Sequence, residues 1–187
     1  KIMNSKSTYV RGNLGGFKGR KLQEGDEIPV DISKSKAEQG KYISPGYIPR
    51  YSKSNVVRVV LGPQDDHFPP ESIETFLNSE YKITAEADRM GYRLEGPKLT
   101  HVKGPDIISD GIVFGSVQVP GHGSPIVMMA DRQTTGGYTK IATVIWADLP
   151  TMAQMGPGDS VRFQSVSIEE AQEILEQYEQ TINDIQC

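Results

Sequence analysis

The chain has 187 residues, with 20 bases, 24 acids and a net charge of −4. That length suits one domain, or one domain with an appended arm, and is too short for two of full size. Its one cysteine, Cys187, cannot form an intrachain disulfide, as expected of a cytoplasmic protein, and no apolar run approaches the roughly 18 to 20 residues that a bilayer helix requires.

The 19 glycines and 12 prolines point to many turns between short strands and argue against a helical bundle. No signal segment or initiator methionine opens the chain, so it is expected to be a piece of a longer protein. Residues 1–53 hold eleven bases against five acids, with Lys18, Arg20 and Lys21 among Gly12, Gly15, Gly16 and Gly19. They read as an irregular, Gly-rich basic arm. Nucleic acid is not the expected partner, because no aromatic platform or recognition helix accompanies the charge and the isoelectric point is near 5.4. G-N-L-G-G-F-K-G-R at residues 12–20 misses the spacing of a phosphate loop.

Residues 55–61, N-V-V-R-V-V-L, read as a strand buried on both faces, in which Arg58 needs an acidic partner. Behind Pro69 and Pro70, the i, i+3, i+4 spacing of Ile73, Phe76 and Leu77 predicts a short helix. Residues 81–95 alternate apolar and polar on either side of Met90-Gly91, which predicts a hairpin. Further strands are expected at 112–119, 125–130, 140–146 and 160–164. A helical turn should enter at Asp148-Leu149-Pro150 and end near Gly156. The last element is a helix. Ser167 and Glu170 are spaced as a capping box, and Ile168, Ala171, Ile174, Leu175, Tyr178, Ile182 and Ile185 form a stripe that should dock on the body. Seven or so short strands mean a β-barrel or a sandwich, and the pattern alone leaves both open.

The segment D-R-Q-T-T-G-G-Y-T-K at 131–140 lies between two expected strands. A turn at Gly136-Gly137 can bring backbone N–H groups to an anion or amide, with Arg132 and Lys140 supplying charge. The competing reading is a plain hairpin loop. Gln118 sits in an apolar strand, facing either a barrel mouth or solvent, while Arg89 and Arg93 flank the Met90-Gly91 turn as anion ligands. His67, His101 and His122 are too far apart in sequence to propose a metal site, and no nucleophile motif occurs.

K-S-T-Y (6–9), G-G-F-K-G-R (15–20), R-V-V-L-G-P-Q (58–64), D-R-M-G-Y-R-L-E-G (88–96), G-S-V-Q-V-P (115–120), D-R-Q-T-T-G-G-Y (131–138), A-D-L-P (147–150) and P-G-D (157–159) follow one another in order. Together they resemble the family of the 5-oxoprolinase C component, also described as KipA-like, allophanate hydrolase subunit 2 or biotin-dependent carboxyltransferase. Members are longer, and their N-terminal portion with its Q-D-x-G-R-like segment has no counterpart here. The resemblance implies a mainly β fold, a cyclophilin-like β-barrel with short peripheral helices and a C-terminal α-helix. The basic arm would span 1–53, the barrel 54–166, and the helix of the same domain 167–187.

It also implies a partnership. A KipI-like B component and a further A component would act with this chain in the ATP-dependent hydrolysis of 5-oxoproline to glutamate, and the chain would be inactive alone. Two alternatives stay open: a KipA-type regulator that antagonises a KipI-like inhibitor of a histidine kinase, and the carboxyltransferase module of a urea carboxylase. No tightly bound cofactor is expected. ATP belongs to the full complex and biotin to the carboxyltransferase alternative, while a small amide is the expected substrate and nucleic acid, membrane and metal are not expected. No catalytic residue is assigned. The binding set chosen on motif position and physical plausibility is Arg89, Arg93, Gln118, Asp131, Arg132, Gln133, Thr134, Thr135, Gly136, Gly137, Tyr138 and Lys140, expected to line one small polar pocket.

Overall fold

The computed structural model describes residues 1–30 and 42–185; residues 31–41, with Gly40, and 186–187, with Cys187, lie outside the described residues. The chain forms two compact units, Lys1–Tyr42 and Ile43–Cys187. In the first, β1 (Thr8–Tyr9) and β2 (Leu14–Gly15) make a two-stranded ribbon, turned by Asn13 in the left-handed region. Arg20 grips Asp26 with two hydrogen bonds of 2.8 and 2.6 Å. That grip, with the Gln23 N–H, lowers the Asp26 carboxyl to about 2.

The second unit is built from β3 (Ser54–Leu61), α1 (Pro70–Asn78), β4 (Tyr81–Ile83), β5 (Gly91–Glu95), β6 (Asp106–Gly111), β7 (Ser116–Gln118), β8 (Ile126–Met128), β9 (Thr135–Tyr138), β10 (Lys140–Val144), α2 (Leu149–Gln154), β11 (Ser160–Ser165) and α3 (Ile168–Asn183). Seven strands close into a barrel in the order β10, β3, β11, β4, β5, β8, β7. The β3–β11 seam is parallel and the others are antiparallel. β6 and β9 form a separate antiparallel ribbon.

Alternation builds the wall. Val57 and Val59 on β3, Val117 on β7, Val127 on β8 and Leu94 on β5 point into the core, where Phe76 of α1 stacks on Phe163 of β11 with centroids 4.5 Å apart. The expectation that residues 55–61 are buried on both faces is corrected. Val56 is exposed and Arg58 half-buried, because the outer face of this part of the wall is incompletely covered. Arg58 finds the acid it needed: Asp148 accepts from its backbone N at 2.7 Å and from Nε and Nη2 at 2.9 and 2.6 Å.

The hairpin over 81–95 exists, with Lys82 opposite Glu95, but β4 stops at Ile83 and its turn is longer than Met90-Gly91 alone. Asp88 Oδ1 shapes that turn by accepting from the backbone N of Met90 and of Gly91. The strand expected at 112–119 is only β7. Gly115, at φ +88°, turns the chain just before it, and the Val113 N–H is bonded to the Ser116 hydroxyl. β6 has no counterpart among the expected strands, and β9 occupies part of the segment read as a loop. α3 carries the expected capping box, yet none of its residues is fully buried, so its stripe is only half covered.

Candidate functional site

Because Val117 and Val119 face the core, alternation sends Gln118 to the outer side of the wall. Opposite it lie Ile126 on β8 and Lys140 on β10, and beyond Ile126 lies Arg93 on β5. Cross-strand partners share a face, so Arg93, Ile126, Gln118 and Lys140 form one row across four strands. The choice between barrel mouth and solvent for Gln118 is overturned: it faces outward but is buried, because the β6–β9 ribbon roofs that end of the row.

Gly136 makes the roof fit. A Cβ there would stand 3.0 Å from Gln118 Nε2 and 2.5 Å from Ile112 Cδ1, so a side chain at this position would have to push those two tips aside. Gln118 is 2% exposed, and its Nε2 has no hydrogen-bond partner. An unsatisfied amide N–H in a dry place costs about 1 to 3 kcal/mol and presents a strong donor to any carbonyl or carboxylate oxygen that reaches it. Gln133 Nε2 lies 3.6 Å from the same Cβ position.

Lys140 is 2% exposed. Its Nζ donates to Asp110 Oδ2 at 2.6 Å and to the Gly111 carbonyl at 2.9 Å. Gln64 joins both: its Oε1 accepts from the Lys140 backbone N at 3.1 Å, and its Nε2 donates to Asp110 Oδ2 at 3.3 Å. The hydrogen bond from Lys140, followed by that from the Gly111 N–H, holds the Asp110 carboxyl below the usual carboxylate range. The ammonium is thus neutralised, leaving the Gln118 amide as the open valence of the cluster.

The expected single pocket is not what the structure contains. Gly136 and Gly137 lie in extended β9 without positive φ, so they form neither a turn nor an N–H cradle. Of the twelve residues, Gln118, Gly136 and Lys140 meet, with Gln133 beside them. Arg89 and Asp131 pair with each other at 2.8 and 2.9 Å on the surface, which also lowers the Asp131 carboxyl. Arg132 turns back on the chain: Nε and Nη1 donate to the carbonyls of Ile112 and Met129, and Cζ lies 5.7 Å from the Phe114 ring centroid. Thr134, Thr135 and Tyr138 are exposed along the ribbon, where Gly137 lies between them. Arg93 sits at the open end of the row and lines a cavity of about 280 Å³. Sequence reasoning misses Gln64 and Asp110. Gln64 closes one of the quoted motifs, but Asp110 carries no pattern of its own.

Among the described residues, no three His, Cys, Asp or Glu side chains gather as a metal site, and no helix is long and apolar enough to cross a membrane.

Residues 1–165 match the family described as carboxyltransferase domain, subdomain A and B. The chain is 36% identical over 170 residues to the C component of 5-oxoprolinase from Escherichia coli, covering 91% of this chain and 53% of that protein. To the C component of 5-oxoprolinase from Haemophilus influenzae it is 41% identical over 170 residues, covering 90% and 53%. The chain therefore spans about half the length of these curated relatives. It superposes along 100% of its length on the Kluyveromyces lactis urea carboxylase structure, with TM-score 0.79 and 27% identity, on 18% of that chain.

Proposed function

The chain belongs to the carboxyltransferase domain family, and from that premise we propose that it is part of a protein like the C component of 5-oxoprolinase. With a KipI-like B component and a further A component, such a protein opens 5-oxoproline to glutamate at the expense of ATP. Identities of 36% and 41% to the 5-oxoprolinase components, against 27% to the urea carboxylase, support this reading over its relatives. The observation that carries it is the buried Gln118 carboxamide with no partner on Nε2. A lactam opens when its carbonyl oxygen takes on charge, and an N–H donor held on the barrel wall stabilises that charge once the ribbon has moved aside. The ribbon must lift for the substrate to reach Gln118, so the chain alone is inactive, and ATP enters through the assembled complex.

The experiment is reconstitution. Full-length protein carrying Gln118→Met, mixed with its A and B partner proteins, should lose roughly 10- to 100-fold in kcat/KM for oxoproline-dependent ATP cleavage. Unchanged turnover rejects the role. A second reading, carboxyl transfer from biotin to urea or another amide, is favoured by the superposition along the full chain on the urea carboxylase. It requires urea-dependent loss of carboxybiotin from a biotinylated carrier.

A further inference from the structure

We propose that Asp110 is a built-in occupant of a carboxylate site: when the β6–β9 ribbon lifts, Lys140 exchanges the Asp110 carboxylate for one carried by the substrate and holds it beside the Gln118 amide. This rests on the lactam reading of Gln118 and names the second group that its substrate must bear. Lys140 and Gln118 are partners across β10 and β7, where side chains on one face start from Cβ atoms about 4.5 to 5.5 Å apart. The ribbon covers both, through Asp110 and Gly111 over the lysine and Gly136 over the glutamine, so one movement uncovers them together.

The contact that closes the site comes from the cover and not from the wall. Both acceptors of the Lys140 ammonium, Asp110 Oδ2 and the Gly111 carbonyl, belong to β6. The lysine side chain is 2% exposed and that of Asp110 52%, so the ammonium lies underneath while its counter-ion faces solvent. Among the described residues, β6 and β9 form a ladder only with each other, and most of β6 is exposed. A two-stranded ribbon of that kind is marginal by itself. Open space stands where a Cβ would be at Gly104, before β6, and at Gly111, its last residue. Lifting strips the ammonium of its counter-ion; water makes up part of that loss, and an incoming carboxylate makes up more.

A neutral lactam would gain only Gln118 and leave Lys140 without a carboxylate. A plain carboxylate would gain only Lys140. A lactam with a carboxylate on the other side of its ring nitrogen reaches both, and Ile126, the other neighbour of Gln118, offers an apolar flank to the ring methylenes. Arg93 is the competing cation in the row, but Ile126 stands between it and Gln118, and its Nε lies 3.1 Å from a Glu86 oxygen.

Full-length protein reconstituted with its A and B partner proteins separates the two contacts. KM for 5-oxoproline and the inhibition constant of 2-pyrrolidinone, the same lactam without the carboxylate, both contain the cost of lifting the ribbon, so their ratio reads the carboxylate contact alone. In the parent protein 2-pyrrolidinone should be weaker by at least roughly tenfold, and Lys140→Met should remove most of that preference. Asp110→Asn, which loosens the ribbon, should lower both constants by the same factor, roughly two- to tenfold, and keep the ratio. A preference that Lys140→Met retains, or that Arg93→Gln removes instead, overturns the exchange, as does a ratio that Asp110→Asn collapses. Should Lys140→Met fail to assemble, Lys140→Gln is read in the same way. Lost turnover in Gln118→Met with the preference intact in Lys140→Met overturns the exchange alone, whereas unchanged turnover in Gln118→Met rejects the lactam reading and the exchange with it.

Discussion

At Gly136 a hydrogen atom in place of a side chain lets β9 lie on the wall without displacing the side-chain tips beneath it. Adding a methyl group would drive it into Ile112 and the Gln118 amide, at 2.5 and 3.0 Å. Both atoms are the far ends of side chains that can swing aside, so Gly136→Ala should cost about 1 kcal/mol or less, read as a small fall in urea midpoint with an unchanged slope. Asp110 gives a pH signature. Its carboxyl is held below the unfolded value of about 3.9, so the stability it adds is present above that value and lost as pH falls through the lowered folded one. The difference in urea midpoint between the parent chain and Asp110→Asn should accordingly shrink on acidification below about pH 4. Both residues show why sites are harder to read than walls. The polarity of Gln118 and Arg58 within apolar runs marks them as needing partners. Asp110 and Gln64, which complete the Lys140 cluster, are 30 and 76 positions away in the chain, a distance no local pattern spans.

Elements with strong periodicity are legible in the sequence and those without it are not. β3, α1, the β4–β5 pairing, β8, β10, β11 and α3 all follow from apolar spacing, because each has one face committed to a core or a packed neighbour. β6 runs Asp106–Gly111 with most side chains exposed, so no apolar face announces it. β9 is masked by Gly136-Gly137, which look like a turn but lie extended, Gly136 directly over the tips of Ile112 and Gln118. The helix α3 shows local chemistry acting on its own. Ser167 Oγ accepts from the Glu170 N–H at 3.0 Å while Glu170 accepts in turn from the Ser167 N–H at 2.7 Å. Ser167→Ala should cost about 1 kcal/mol. Because none of its side chains is fully buried, the loss should appear as faster hydrogen exchange within α3 while barrel amides exchange as before.

At the scale of the molecule, composition points to short strands and turns, but only coordinates choose between a sandwich and a ring. That choice rests on the β3–β11 seam, which pairs Ser54 with Ser160 and Val59 with Ser165 across more than half of the sequence. Closing such a loop delays the reward of pairing, so the chain should fold in about milliseconds to seconds. Trp146 is the only tryptophan, is 60% exposed and stands edge-on to Phe114, so its fluorescence can report folding in stopped flow. Microsecond folding would show that closure of the seam is not limiting.

The same seam bears on how the molecule answers force. β3 opens the ring and β11 completes it, side by side and running in the same direction. Tension applied at the start of β3 and the end of β11 would slide the two strands lengthwise, loading all their shared hydrogen bonds together rather than unzipping them one by one. Pulled along its own backbone, the barrel should yield abruptly and late.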